Sequence, residues 1–402
     1  MRDLIHPPHD GARGRALACV LGDTDLLRAL ALAGVPCAVA AAPGTPARYS
    51  RLARVVLDWT DAWEQPDALV SLLERFAAAE PEPPVLFYEE DQDVLLISRQ
   101  RERLRRHFRF VVPASALVED LVDKSRFQVL AERLGLPVPP GRMLDPCTQP
   151  APLDLDFPLA LKPRVRRGAL WPSIAGAAKA LRVDTRAGLL ELWPRLAAAG
   201  LVVLVQQLIP GPETQVESYH VYVDEDGDTV GEFTGRKLRT WPPAYGHSTA
   251  LVISDAPDVA ALGRDVVARL GLHGVAKLDF KRASDGRLFL LEVNPRFNLW
   301  HHVGARAGVN LPALVYADLV GEPRPHTVAA RAGVRWCQPW LDVRAARQAG
   351  VSWLAWLWWT LGCEAKRTVA WDDPLPLVGA LLDRALAGLV RRVPLRRLRR
   401  HA

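Results

Sequence analysis

Asp279, Glu292 and Asn294 are the residues of this chain whose types and spacing point most directly to chemistry. The runs "GVAKLDFKR" and "RLFLLEVNP" are rich in strand-forming residues and flank Asp285 and Gly286; Asp-Gly between such runs is a strong hairpin signal. With those two residues as the turn, Ser284 faces Arg287, Asp279 lies opposite Glu292, and Lys277 lies opposite Asn294. Residues two apart in a strand share a face, so all four project together. Directly opposed Cβ atoms are roughly 5 Å apart, and like charges at that separation are destabilising unless compensated. A divalent cation compensates them, because two carboxylates and an amide are hard oxygen ligands of the kind Mg²⁺ takes, alongside waters and substrate phosphates. The other reading pairs the two acids separately with Lys277, Lys281 or Arg296 on a solvated sheet face. The apolar neighbours Val275, Leu278, Phe280, Leu290, Leu291 and Val293 argue for the enclosed arrangement.

Three kinds of segment must position these residues. From Arg15 to about Ala116, short apolar runs alternate with segments of helical period: "ALACVLG", "VPCAVAAAP", "RVVLDW", "PVLFYEE" and "FRFVVP" read as strands, and the stretches between them as helices. Such alternation predicts a parallel sheet with helices on its faces. Its first turn, "LGDTD", lacks the G-x-G-x-x-G of a dinucleotide site. Next, "LVEDLVDKSRFQVLAERLG" reads as one long amphipathic helix ended by Gly135, followed by "LPVPP" and the strand "FPLALKPRV". Residues 201–297 read as antiparallel, with a first hairpin turn at Asp226 and Gly227. The expected fold class is therefore α/β and α+β. A parallel α/β domain (1–115) precedes a two-lobed domain (116–325, lobes about 116–205 and 206–325) with antiparallel sheets, and a Trp- and Arg-rich extension (326–402) follows.

Composition narrows the class further. A chain of 402 residues with 49% hydrophobic content supports more than one core. The formal charge of +6 is a property of the tail, where Arg391, Arg392, Arg396, Arg397, Arg399 and Arg400 cluster, which argues against a nucleic-acid partner. Five scattered cysteines without a Cys-x-x-Cys pair fit a reduced, cytoplasmic setting. The first residues lack the order of a secretory signal, and no stretch reaches the ~18 apolar residues of a spanning helix.

At this point the sequence resembles the ATP-grasp superfamily, in which an acid followed by E-x-N on adjacent strands holds the magnesium ions of ATP. The resemblance covers about Lys124 to Leu319 and rests on "DKSRFQVLAERLGLPVPP", "LALKP", "VQQLIPGPET", "FTGRKLRTWPP" and "LLEVNPRFNLWHHVGARAGVNLP" in this order. The segment before it looks like the domain that precedes an ATP-grasp fold. Within the superfamily it is most similar to carboxylate-amine ligases such as D-aspartate ligase. The resemblance implies that Asp279, Glu292 and Asn294 carry Mg²⁺, with Mn²⁺ as a substitute, and that Lys124 and Lys162 contact ATP phosphates. It also implies that Gln206, Gln207 and Ile209 form the linker that grips adenine, and that Glu213 binds the ribose hydroxyls. Both linker positions that often carry glutamate in relatives are glutamine here. The loop "RVRRGALWPSIAG" carries Arg164, Arg166 and Arg167 where relatives have small residues; these arginines either clamp phosphate bidentately or form a solvated basic loop. Alternation points Lys237 and Arg239 to one face and Arg236 to the other, and Arg236 is taken as the residue reaching the transferred phosphate. Arg296 is taken to hold phosphate or the acceptor carboxylate. His301 and His302 have no third ligand at a zinc-like spacing and read as pocket or packing residues.

The implied reaction forms an acyl-phosphate from ATP and a carboxylate, which an amine captures to give an amide. Small-molecule carboxylate and amine substrates are thus the expected partners, with a cell-wall or polysaccharide precursor as one form of acceptor. Rival readings are other ATP-grasp chemistry, carboxylase-like or thiol-forming, and an ATP-binding regulator without turnover. "SWLAWLWWTLG", with four tryptophans in seven residues, and the arginine-rich end read either as a peripheral membrane contact through 351–400 at the inner face or as a folded extension.

Overall fold

The computed structural model describes residues 15–148, 153–165 and 170–382. Arg166, Arg167 and the arginine run after 390 lie outside the described residues.

Strands β1 (Ala18–Leu21), β2 (Cys37–Ala41), β3 (Ala53–Asp58) and β4 (Val85–Tyr88) form a parallel sheet in the order β3-β2-β1-β4. Helices α1 (Thr24–Leu32), α2 (Pro66–Ala78), α3 (Asp91–Arg99) and α4 (Arg101–Leu104) belong to this domain. β1, β2 and β4 are buried throughout, which is why they read as continuous apolar runs. The expected fifth strand, "FRFVVP", is reduced to one parallel bridge between Arg109 and Val85. The anticipated long helix is likewise two, α5 (Ser115–Val122) and α6 (Lys124–Arg133). Asp123 breaks it in an extended conformation, and its carboxylate caps the Ser125 and Arg126 N–H groups of α6.

A small antiparallel sheet follows, ordered β5-β8-β6-β7, from β5 (Gly141–Leu144), β6 (Leu159–Pro163), β7 (Leu181–Val183) and β8 (Val203–Gln207). It carries α7 (Leu170–Ala175) and α8 (Arg186–Ala198). β8 stays in this sheet as far as Gln207, so the first lobe runs slightly past the expected residue 205.

The largest sheet contains β9 (Val216–Val223), β10 (Thr229–Trp241), β11 (His247–Ser254), β12 (Gly274–Arg282), β13 (Leu288–Asn294), β14 (Arg335–Cys337) and β15 (Ala365–Lys366), in the order β13-β12-β9-β10-β11-β14-β15. It packs with α9 (Pro257–Leu270), α10 (Trp300–Ala307) and α11 (Leu311–Val320), and α12 (Pro339–Gln348) and α13 (Trp353–Leu361) follow. This sheet continues beyond residue 325 through β14 and β15, which are thus part of the second lobe's framework.

The two Asp-Gly turns have three residues rather than the expected two. Ala283 N–H donates to the Arg287 carbonyl, Gly286 closes the turn at φ 88°, and Gly227 at φ 89° does the same between Asp224 and Asp228. A third loop residue would shift the register by one and turn Glu292 away from Asp279. A β-bulge between Asp279 and Phe280 on one strand and Leu290 and Glu292 on the other restores it, so Asp279 faces Glu292 and Lys277 faces Asn294 as expected. The bulge also lets Leu290 and Val293 enter the same core, with Leu278 and Phe280, while Glu292 and Asn294 face the other way.

Candidate active site

Two cavities meet on the outer face of the β12–β13 hairpin. The first, of about 370 Å³, lies between the small and large sheets and is lined by the 206–213 segment, Lys281, Asp279 and Glu292. The second, of about 220 Å³, extends toward the parallel sheet and is lined by Glu292, Asn294, Arg296 and the loops after β1 and β4. Lys124, Lys162, Lys179, Lys237, Leu291 and Glu292 line both. Four ammonium groups and one carboxylate therefore surround the passage between the cavities.

Each lysine is delivered by a different local feature. Lys124 is the first residue of α6, placed there by the Asp123 break, and its backbone N–H donates to the Arg164 carbonyl. Lys162 lies on β6 and donates to Gln206 Oε1 at 2.8 Å; Gln206 Nε2 donates to Gln128 Oε1 at 2.8 Å, and Gln128 Nε2 to Glu132 at 2.8 Å. Gly141 leaves room for these amides, since a Cβ there would come within 3.0 Å of Gln206 and 3.1 Å of Gln128. Lys179 follows α7, and its backbone N–H donates to the Tyr245 carbonyl, which ties the small lobe to the loop between β10 and β11. Lys237 lies on β10. Burial alone would push its ammonium toward neutrality, but Asp279, Glu213 and Glu292 together hold it charged, above the ordinary lysine value.

Asp279, only 2% exposed, is fully engaged. Ser218 donates to Oδ1, Lys277 Nζ donates to Oδ2 at 2.6 Å, and Lys237 Nζ lies 3.7 Å from Oδ2. Lysines thus neutralise one acid of the pair. The remaining donor set, Glu292 and the Asn294 amide beside Asp279, has the hard-oxygen chemistry that suits Mg²⁺. Among the described residues no group of three or more His, Cys, Asp or Glu is placed to hold a metal ion.

The sequence-derived candidates fare as follows. Asp279, Glu292, Lys124, Lys162, Gln206, Gln207, Ile209 and Glu213 line the first cavity, and Asn294 and Arg296 the second. Gln206 is 2% exposed and its side chain is committed to Lys162 and Gln128, so Gln207 and Ile209 are left as the linker's contacts. Lys281 donates to the Gly211 carbonyl at 2.8 Å and fixes the turn that presents Glu213. Arg296 donates to Asp91 at 2.6 Å, and although burial opposes its charge, Asp91 raises its pKa. Arg236 is exposed and lines neither cavity. Its neighbour Lys237 points to the site instead, and Arg239 leaves for α12, where it grips Asp342 at 2.8 and 2.7 Å. Arg164 pairs with Asp123 at 3.0 Å. His301 is wholly buried among His220 and Phe297, and burial lowers its pKa to about 3; His302 lies 3.3 Å from Asp25.

Other residues of the site were not singled out from sequence: Lys179, Arg367, and the acids Asp23, Asp25, Glu89, Glu90 and Asp91; Lys277, expected opposite Asn294 and as a possible partner of the acids, and Lys237, expected on a face with Arg239, both reach the site. A signal for the acids was present, because "LGDTD" and "YEED" follow parallel strands and ligands gather at the carboxyl ends of such strands.

A parallel α/β domain followed by two antiparallel lobes that close on an acid and an E-x-N strand is the architecture of ATP-grasp proteins, and this chain has that fold. The family described as "ATP-grasp in the biosynthetic pathway with Ter operon" matches residues 202–338. The chain is 27% identical to D-aspartate ligase of Enterococcus faecium over 235 residues, 56% of each chain. It is 29% identical to D-alanine--D-alanine ligase of Pseudomonas putida over 227 residues, 51% of this chain and 65% of the relative. It thus spans somewhat more than half the length of these curated relatives. Among solved structures it resembles an ADP complex of N5-carboxyaminoimidazole ribonucleotide synthetase (TM-score 0.61, 16% identity, 87% of both chains). It also resembles L-amino acid ligase from Bacillus licheniformis (TM-score 0.58, 15% identity, 78% of this chain and 76% of that one).

Proposed function

We propose that the protein is an ATP-dependent carboxylate-amine ligase, with ATP in the first cavity and the acyl and amine substrates in the second. The observation that carries this reading is the meeting of the cavities at Glu292 and four lysines, where a γ-phosphate and a substrate carboxylate would be brought together. Gln207 and Ile209 would face the base, Glu213 the ribose, and Lys124 and Lys162 the phosphates, as point charges on flexible stems. Asp279, Glu292 and Asn294 would hold Mg²⁺, which when bound supplies charge neutralisation of the phosphates.

In the first step a carboxylate oxygen attacks the γ-phosphorus, the bond to the β-γ bridging oxygen breaks, and ADP leaves. In the second, an amine nitrogen attacks the acyl carbon and the C–O bond to phosphate breaks, so that phosphate leaves with the bonding pair and one proton goes to solvent. Such chemistry depends on alignment and electrostatics more than on a protein nucleophile. Lys237 and Lys277 suit developing negative charge at the passage, and Arg296, braced by Asp91, suits a substrate carboxylate.

Incubation with Mg-ATP and a pooled panel of amino acids and other carboxylates should yield ADP, phosphate and new amide masses, all lost in Glu292→Gln. AMP and pyrophosphate would overturn the acyl-phosphate route, and tight ATP binding without turnover across the panel would favour the regulatory reading.

We also propose a peripheral membrane contact for the C-terminal segment. In α13, Trp356 is buried and donates to Asp342, and Trp359 stacks under Arg239, whereas Trp353 and Trp358 are 60% and 73% exposed. Among the described residues no helix is long and apolar enough to cross a membrane. Co-sedimentation with anionic liposomes should drop when Trp353 and Trp358 are replaced by serine; equal sedimentation of both proteins would remove this reading.

A further inference from the structure

The far end of the second cavity carries more carboxyl groups than its two arginines pair, while the lysines of its lining gather at the passage and the β12–β13 hairpin. Asp23, Asp25, Glu89, Glu90 and Asp91 line its far end, at the carboxyl ends of β1 and β4. Arg367 pairs with Asp23 and Arg296 with Asp91, which leaves three acids. Asp25, 1% exposed, accepts from Trp336 at 2.8 Å through Oδ1 and lies 3.3 Å from His302, while its Oδ2 has no hydrogen-bond partner. Glu89, 8% exposed, accepts the Asp23 N–H, and burial holds its carboxyl well above the ordinary range. Glu90 is exposed on the same wall.

A second observation, independent of the acids, also points to a ligand. Asn298 is 7% exposed, and its Oδ1 accepts the Trp300 N–H at 3.0 Å, which fixes the orientation of the amide. Its Nδ2 then has no partner, and the residue lines this cavity next to Arg296. Buried polar groups are nearly always paired, so both Asp25 Oδ2 and Asn298 Nδ2 call for a bound group: a donor cation at one and an oxygen acceptor at the other.

We propose that one of the two substrates is an amino acid with a positively charged side chain. Its carboxylate faces Arg296 and Asn298, and its cationic groups face Asp25, Glu89 and Glu90. The inference rests on the ligase reading for the identity of the second cavity as a substrate site. A cation there lets the buried Glu89 ionise and gives the open Asp25 oxygen a donor, which a neutral side chain does not do, and an acidic one would add like charge.

Calorimetric titration of the full-length protein tests this, with and without Mg²⁺ and a non-hydrolysable ATP analogue, using lysine, cadaverine, alanine and aspartate. Lysine should bind roughly tenfold or more tighter than alanine, and cadaverine, which lacks the carboxylate, should bind more weakly than lysine but more tightly than aspartate. Glu90→Gln, at an exposed position, should lower the ratio of lysine to alanine affinity severalfold. Alanine or aspartate binding as tightly as lysine, no binding of lysine in either condition, or a ratio unmoved by both Glu90→Gln and Asp25→Asn would overturn the proposal. Lysine binding without ADP formation in any substrate pairing would count against the ligase reading alone, and ADP formation restricted to neutral pairs against this inference alone.

Discussion

Asp279→Asn sets two electrostatic effects against each other. The carboxylate faces Glu292 across the hairpin, and at roughly 5 Å with an effective dielectric near 20 their repulsion is about 3 kcal/mol. It also holds Lys277 at 2.6 Å and Lys237 at 3.7 Å. In the same dielectric those contacts amount to about 6 and about 4 kcal/mol of attraction, before the cost of desolvating the groups. Attraction exceeds repulsion about threefold, so the metal-free protein should lose stability on substitution even though a carboxylate pair is relieved. Both lysines are largely enclosed, with side-chain exposures of 13% and 12%, so stripping them of their shared partner should cost about 3 kcal/mol. Urea unfolding at pH 7, without nucleotide or divalent cation, reads this directly as a lower midpoint at unchanged slope. A midpoint equal to or above that of the wild type would refute the reasoning, because it would mean that repulsion between Asp279 and Glu292 dominates until a cation arrives.

Gln206→Leu removes the acceptor of Lys162 and one partner of Gln128; a hydrogen bond to a charged group is worth ~1.5–3 kcal/mol, so ATP affinity should fall about tenfold or more in a fluorescence titration, and an unchanged affinity would show that Lys162 needs no anchor. Burial raises the pKa of Asp93 from 3.8 to about 8. Between those values the folded protein keeps a proton that the unfolded chain releases, so stability present below pH 4 is lost as pH rises toward 8. Asp93→Asn should therefore gain on the wild type by about 4 kcal/mol between pH 5 and pH 8 in denaturant titrations; parallel pH profiles would contradict this.

The layout of the molecule was legible because it depends on local pattern. Alternating apolar runs and helical periods give the parallel sheet, and strand-rich runs around Asp-Gly give the hairpins, since burial imposes period 2 or 3.6 on any chain that folds this way. The opposition of Asp279 and Glu292 was also legible, although the count behind it assumed a two-residue turn. The actual turn has one residue more, and a bulge at Leu291 cancels it. That bulge is a tertiary decision, since only burial of both Leu290 and Val293 in one core favours it over a regular strand facing Glu292 the wrong way. The break at Asp123 belongs with it, because a continuous amphipathic helix satisfies the same pattern, and what the break adds is the position of Lys124 at the passage. The substrate end was the least legible. Arg367 reaches Asp23 from 344 residues away, and Arg296 reaches Asp91 from 205. Sequence by itself determined most of the strands and helices, because those follow from neighbours along the chain, whereas the register that opposes Asp279 and Glu292 needed the tertiary bulge. Which cation meets which acid was decided only by the tertiary structure, because a charged side chain leaves no periodic trace of a partner brought to it by folding.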